Sequence, residues 1–252
     1  MKAKFLYLPA LLTAGLAACV FLVGCDEGNK EPEVQEPEDP VVETVTDKVY
    51  DGWGTFTGTV TDGVPTEGTV VAEAFTYSGT FEDGYKITGT GSMTHSDGTV
   101  TEGSYVNGQL DGYGKVEYAN GCLGIGEFKA GQIDGKAFFV WPQGEGAYDW
   151  YYGDWVGQKR IGQGFYQFNN GCYYHGEFAE DWINGEGTFH WTGGNYWTGT
   201  FVGGSPKTGS YGLGQMDGVQ GYIAIGEDGA WSWYNGTLED GTEVVDGQVV
   251  SE

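Results

Sequence analysis

Histidine and cysteine are scarce in this chain of 252 residues: there are 3 His and 4 Cys, and basic residues number only 11. No two histidines stand four apart as on a zinc-binding helix, and no Cys-x-x-Cys is present, so a metal centre is not expected. Few Lys and Arg against 36 acids give a formal charge of −25. Such a surface repels phosphate backbones and anionic head groups, which sets nucleic acid aside as a partner. There is no Gly-x-Ser-x-Gly elbow and no phosphate-binding loop. We expect neither catalysis nor a cofactor. A single long apolar run exists, at the start of the chain.

What the chain has in excess is glycine, 47 residues, together with 9 Trp, 17 Tyr and 13 Phe. Glycine at that density disfavours helices, costing about 1 kcal/mol per position relative to Ala. The aromatic content is too high for a chain that cannot fold. Glycine and aromatics at regular spacing predict many short strands joined by tight turns, hence an all-β fold.

The first 24 residues read as an export address. Lys2 and Lys4 precede an apolar run from Phe5 through Val23, which closes on Leu22-Val23-Gly24-Cys25. The pattern is that of a secretory signal, and its last four residues resemble a bacterial lipobox. That resemblance implies cleavage after Gly24, lipid on the Cys25 sulfur, and a protein held at the exported side of a cell membrane. Removing residues 1–24 takes two Lys and no acid, leaving nine basic residues against 36 acidic ones, or −27. From Asp26 to Asp51 the chain carries ten acids, two Lys and three Pro. Residues 25–49 are therefore expected as an acidic, disordered tether, with the folded domain spanning 50–252.

Within that domain one pattern recurs. Gly79, Gly103, Gly126, Gly153, Gly176, Gly199 and, more weakly, Gly236 are anchors. Two residues before them stand Tyr77, Thr101, Gly124, Tyr151, Tyr174, Trp197 and Tyr234, and two after them Phe81, Tyr105, Phe128, Trp155, Phe178, Phe201 and Leu238. This alternation has period two, so it is a strand with its aromatics on one face. Later in each unit Val116, Phe139, Tyr166 and Phe189, then Tyr118, Trp141, Phe168 and Trp191, alternate in the same way. Each unit is thus a hairpin with glycine turns, and stacked hairpins bury an aromatic row that none could bury alone.

The segments YSGTFEDG, YHGEFAEDWINGEGTF and WTGTFVGG resemble the MORN repeat, whose units run Tyr-x-Gly-x-Trp/Phe-x-x-Gly and then Gly-x-Gly. The resemblance is clear over residues 77–204 and looser over 50–76 and 205–252. It implies an elongated, twisted, antiparallel β solenoid of hairpins, acting as a non-catalytic binding scaffold. Asp181 and Gln158 depart from the usual turn glycine, and the unit around Asp149–Tyr152 carries four extra residues. Phospholipid binding, often attached to this family, is disfavoured by the charge.

Not every ring can fit the buried positions. Trp150 and Tyr152 should face away from Tyr151, and Trp231 and Trp233 form a second cluster; these four are the candidate binding residues. Their partner is expected to be an envelope protein or a second copy of the chain. Alternatively, the rings form platforms for a cell-wall or host glycan. Cys122 and Cys172 fall at equivalent sites two units apart, a separation of ~19 Å at two strands per unit, too far for a disulfide.

Overall fold

In the computed structural model, residues 39–82 and 85–250 are described. The expected signal segment, Cys25 and the first part of the expected tether lie outside the described residues. Pro40–Glu252 form one compact unit. Its described residues contain no helix. The strands are β1 (Val42–Tyr50), β2 (Gly54–Thr61), β3 (Val64–Val71), β4 (Phe75–Thr80), β5 (Gly89–His95), β6 (Val100–Val106), β7 (Gln109–Glu117), β8 (Leu123–Lys129) and β9 (Gln132–Gly144). They continue as β10 (Ala147–Val156), β11 (Lys159–Gln167), β12 (Tyr173–Ala179), β13 (Trp182–His190), β14 (Tyr196–Val202), β15 (Ser205–Pro206), β16 (Ser210–Met216), β17 (Val219–Ile225) and β18 (Trp231–Trp233). A separate small sheet holds β19 (Gly236–Thr237), β20 (Glu243–Val245) and β21 (Gln248–Val249).

Each strand from β1 to β14 pairs antiparallel with the next, β14 meets both β15 and β16, and β17 and β18 follow. The result is a long open antiparallel sheet, all-β as expected and not closed into a barrel. Short hairpin turns set this order, because each brings only its own two strands together. Asn107–Gly108, Ala130–Gly131 and Glu145–Gly146 take φ of 49 and 80, 48 and 78, and 50 and 79 degrees, the double left-handed geometry that matches strand twist.

One row explains the glycine content. In register across β2 to β14 stand Gly58, Gly68, Gly79, Gly91, Gly103, Gly114, Gly126, Ala137, Gly153, Gly164, Gly176, Gly187 and Gly199. Phe56, Tyr77, Tyr151, Tyr174 and Trp197 lie flat over this row; a Cβ on the glycines beneath would approach the rings to under 3.0 Å. Three of the tyrosines then close the same loop: Tyr77, Tyr151 and Tyr174 each donate from the phenol to the carbonyl three residues on, at 3.0, 3.2 and 3.2 Å. These rings, with Phe81, Tyr105, Phe128, Trp155, Phe178 and Phe201, make the core on one face of the sheet.

The structure corrects two boundaries. The sheet begins at Val42 rather than Tyr50, so residues 42–49, expected as tether, are strand. There the acidic run gives way to Val42, Thr44, Val45 and Val49, β-branched residues that pair with β2 around a bulge at Val45/Lys48. The seventh anchor, Gly236, lies outside the long sheet, because residues 205–233 supply β15 to β18 in between. Its local geometry still follows the repeat: Tyr234 covers Gly236 and donates to Thr237 O at 3.1 Å. The four extra residues near 149 lengthen the β9–β10 hairpin.

Candidate functional site

Strand alternation sorts the candidate rings by face. Tyr151 is fully buried on the core face, so its neighbours Trp150 and Tyr152 point the other way. Trp150 stacks on Phe165 with centroids 5.1 Å apart and planes 17° apart. Phe165 stacks on Tyr173 at 5.4 Å and 15°, Tyr173 on His190 at 4.3 Å and 14°, and His190 on Tyr196 at 5.4 Å and 29°. Phe138 meets the far side of Trp150 at 5.6 Å. One ring from each of six successive strands, β9 to β14, thus forms a continuous stripe opposite the core. Tyr152, 54% exposed, stands beside it in register with both Phe138 and Phe165.

The stripe has a distinct border. The register row that holds Phe138, Tyr152 and Phe165 carries Thr57, Thr69, Ser78 and Ser92 in earlier strands, then Glu102, Lys115 and Ile125, so along this row the outer face changes from hydroxyl through charged to aromatic. Asp154, Glu177 and Glu186 flank the rings on one side. Asp154 pairs with Lys136 at 2.5 Å and accepts from Gln163 N at 3.1 Å, while Glu177 accepts from Glu186 N at 3.1 Å and Glu186 accepts from Thr200. His175 lies 6.0 Å from His190. Burial, and then the charge of His175, hold the His190 imidazole below its ordinary pKa of 6.5.

Trp231 and Trp233 do not join the stripe. Trp233 packs partly against the core, over Gly221 and Gly247. Trp231 meets Trp191 edge-on at 5.3 Å and lines a shallow cleft of about 380 Å³ with Asn195, Gln215 and Met216. The four candidate residues therefore occupy two places, not one. Sequence reading missed Phe138, Phe165, Tyr173 and Tyr196, because each sits one position from an aromatic that is buried or packed against the core and reads as part of the core pattern. Cross-strand register, not spacing along the chain, assembles them. Cys122 and Cys172 are free thiols.

A long hairpin sheet with a glycine row under buried rings, and free side chains opposite, defines a repeat scaffold whose role is set by what its faces carry. Comparison with known protein families identifies MORN repeats at residues 102–123, 125–146, 151–173 and 174–196. The pairing and the glycine row extend in the same way ahead of those four, back to Gly58 in β2, and end just after them at Gly199 in β14. No curated protein matches the chain. The second, third and fourth repeats supply every ring of the aromatic stripe except Trp150, which lies between the second and the third.

Proposed function

We propose that this chain is a non-catalytic binding scaffold, tethered to a membrane by lipid on Cys25 on the exported side of a bacterial envelope, whose MORN repeats dock a protein partner along the outer aromatic stripe. The parallel stacking of the stripe carries this reading. Ring faces from Trp150 to Tyr196 are spent on each other, so a partner meets a ridge of ring edges, a surface suited to apolar side chains more than to a sugar ring lying flat. Asp154, Glu177 and Glu186 beside it favour a partner that brings Lys or Arg next to its apolar residues. Long, closely spaced anchoring of this kind fits an envelope protein segment or a second copy of the chain better than a glycan platform.

Crosslinking the tagged full chain in its native cell, followed by mass spectrometry, tests this. The expected result is one dominant protein partner, lost when Trp150→Ala and Phe165→Ala are combined and weakened by salt. Recovery of wall fragments with no protein partner would replace it with the glycan reading.

A further inference from the structure

Along the core face, one position repeats from unit to unit: opposite Tyr105, Phe128 and Phe178 in the neighbouring strand stand Leu110, Ile133 and Ile183, all buried. In the third of the family-matched repeats, the residue opposite Trp155 is Arg160. Its side chain is 19% exposed, and its guanidinium lies 5.3–5.8 Å from the ring centres of Trp141, Tyr151, Tyr166 and Phe178. An arginine in an aliphatic slot of the core costs desolvation, and packing alone gives no reason for it.

Its counter-ion is also a departure from the repeat. Asp181 accepts at Oδ1 from Arg160 Nε at 3.3 Å and from the Arg160 backbone N–H at 3.0 Å, and its carbonyl accepts from Nη2 at 2.7 Å. Asp181 and Gln158 hold φ of 71 and 68 degrees, at the second turn position where the other hairpins place Gly63, Gly108, Gly131, Gly146, Gly204 and Gly218. Non-glycine residues are strained there, and strain that persists in a turn is a marker of function. Both side chains line one cavity of about 520 Å³, together with Arg160, Trp141, Tyr166 and Gln143. Gln143 comes from the lengthened β9–β10 hairpin and donates to Asp149 at 3.0 Å, the carboxylate that also accepts from the Tyr166 phenol at 3.3 Å. Four departures from the repeat thus converge on one cavity.

We infer that this cavity is a binding site for an uncharged saccharide unit. The volume falls in the range of small-ligand pockets. Arg160 and Asp181 both line the cavity, so donor and acceptor groups face the same space, a combination that suits the hydroxyls of a sugar. The Arg160–Asp181 pair is locally neutral inside a strongly acidic protein, which selects against anionic ligands. Trp141 and Tyr166, with Arg160 lying over their rings, leave apolar ring edges in the cavity for the C–H groups of a sugar. The site is on the face opposite the stripe, so it stands or falls independently of the protein-docking role.

The test titrates the full chain with maltotriose, cellotriose, chitotriose and galactobiose, and with 3′-sialyllactose as the anionic control, by calorimetry and tryptophan fluorescence. At least one neutral oligosaccharide is expected to bind. Arg160→Leu, which restores the aliphatic residue of the other repeats, should weaken it at least about tenfold while the melting temperature holds or rises. Trp150→Ala should leave it unchanged. Should Arg160→Leu fail to fold, Gln158→Gly and Asp181→Gly restore the ordinary turn residue and serve in its place. Absence of binding by every neutral sugar, a preference for sialyllactose, or full affinity in these variants would overturn the inference.

Discussion

At the scale of single residues, the glycine row and the rings above it form one lock. Gly176 has no room for a methyl group, since a Cβ there would press on the Tyr174 phenol and the Gly187 Cα. Gly176→Ala should therefore destabilise by about 3 kcal/mol, read from chemical denaturation. Ala137 is informative as the one interruption of the row. Its partner Gly126 carries no ring above it, because Gly124 stands where most other units have Tyr or Trp, and the Ala137 methyl fills the space instead. Removing a ring from the lock is costlier than adding a methyl elsewhere: Phe178→Ala, which strips edge contacts with Tyr151 and Tyr174 at 4.9 and 5.4 Å, should cost about 3–5 kcal/mol. Burial also pushes the Tyr77 and Tyr166 phenols up to about 12. A phenol with a raised folded pKa contributes stability in full below its unfolded value near 10 and loses it as pH rises toward 12. Absorbance at 295 nm should accordingly show these two tyrosines ionising in step with alkaline unfolding.

At the scale of elements, hairpin turns and the stripe each carry a prediction. Gln158 pays strain in a turn without accepting the Arg160 charge, so Gln158→Gly should raise stability by about 1 kcal/mol, visible as a higher melting temperature. In the stripe, His190 has its folded pKa held below the unfolded 6.5. Stability from the neutral ring is full above 6.5 and is lost as pH falls through the folded value. Acidification from pH 7.5 to 5 should loosen the His190 stack, followed by NMR of the His190 and Tyr173 ring protons, and His190→Phe should remove that pH response. The stripe was half legible in the sequence: Trp150 and Tyr152 announce themselves as rings out of phase with Tyr151. Phe138, Phe165, Tyr173 and Tyr196 are out of phase too, but each has an in-phase aromatic beside it, and only register reveals that they touch. Strand β1 was hidden for a different reason, since acids and prolines upstream mask a short β-branched run whose partner is set by the turn at Asp51–Trp53.

At the scale of the whole molecule, each strand of the long sheet from β1 to β13 pairs only with its chain neighbours, and β14 also reaches past β15 to β16, so stability is close to a sum of local hairpins and their interfaces. Hydrogen exchange should be slowest across β7 to β14, where the glycine row and the buried rings are densest, and fastest in β19 to β21. The fold class, the hairpin unit and the side of the sheet that buries its rings were all determined by the sequence, because period-two alternation and glycine at the turns are local properties. The tertiary structure alone decided which rings stack across strands, where β15 to β18 displace the last repeat from the row, and that Arg160, Asp181, Gln158 and Gln143 share a cavity. Those outcomes depend on register accumulated across successive hairpins: it brings Gln143 and Asp181, 38 positions apart, to one cavity, while each turn fixes only its own step.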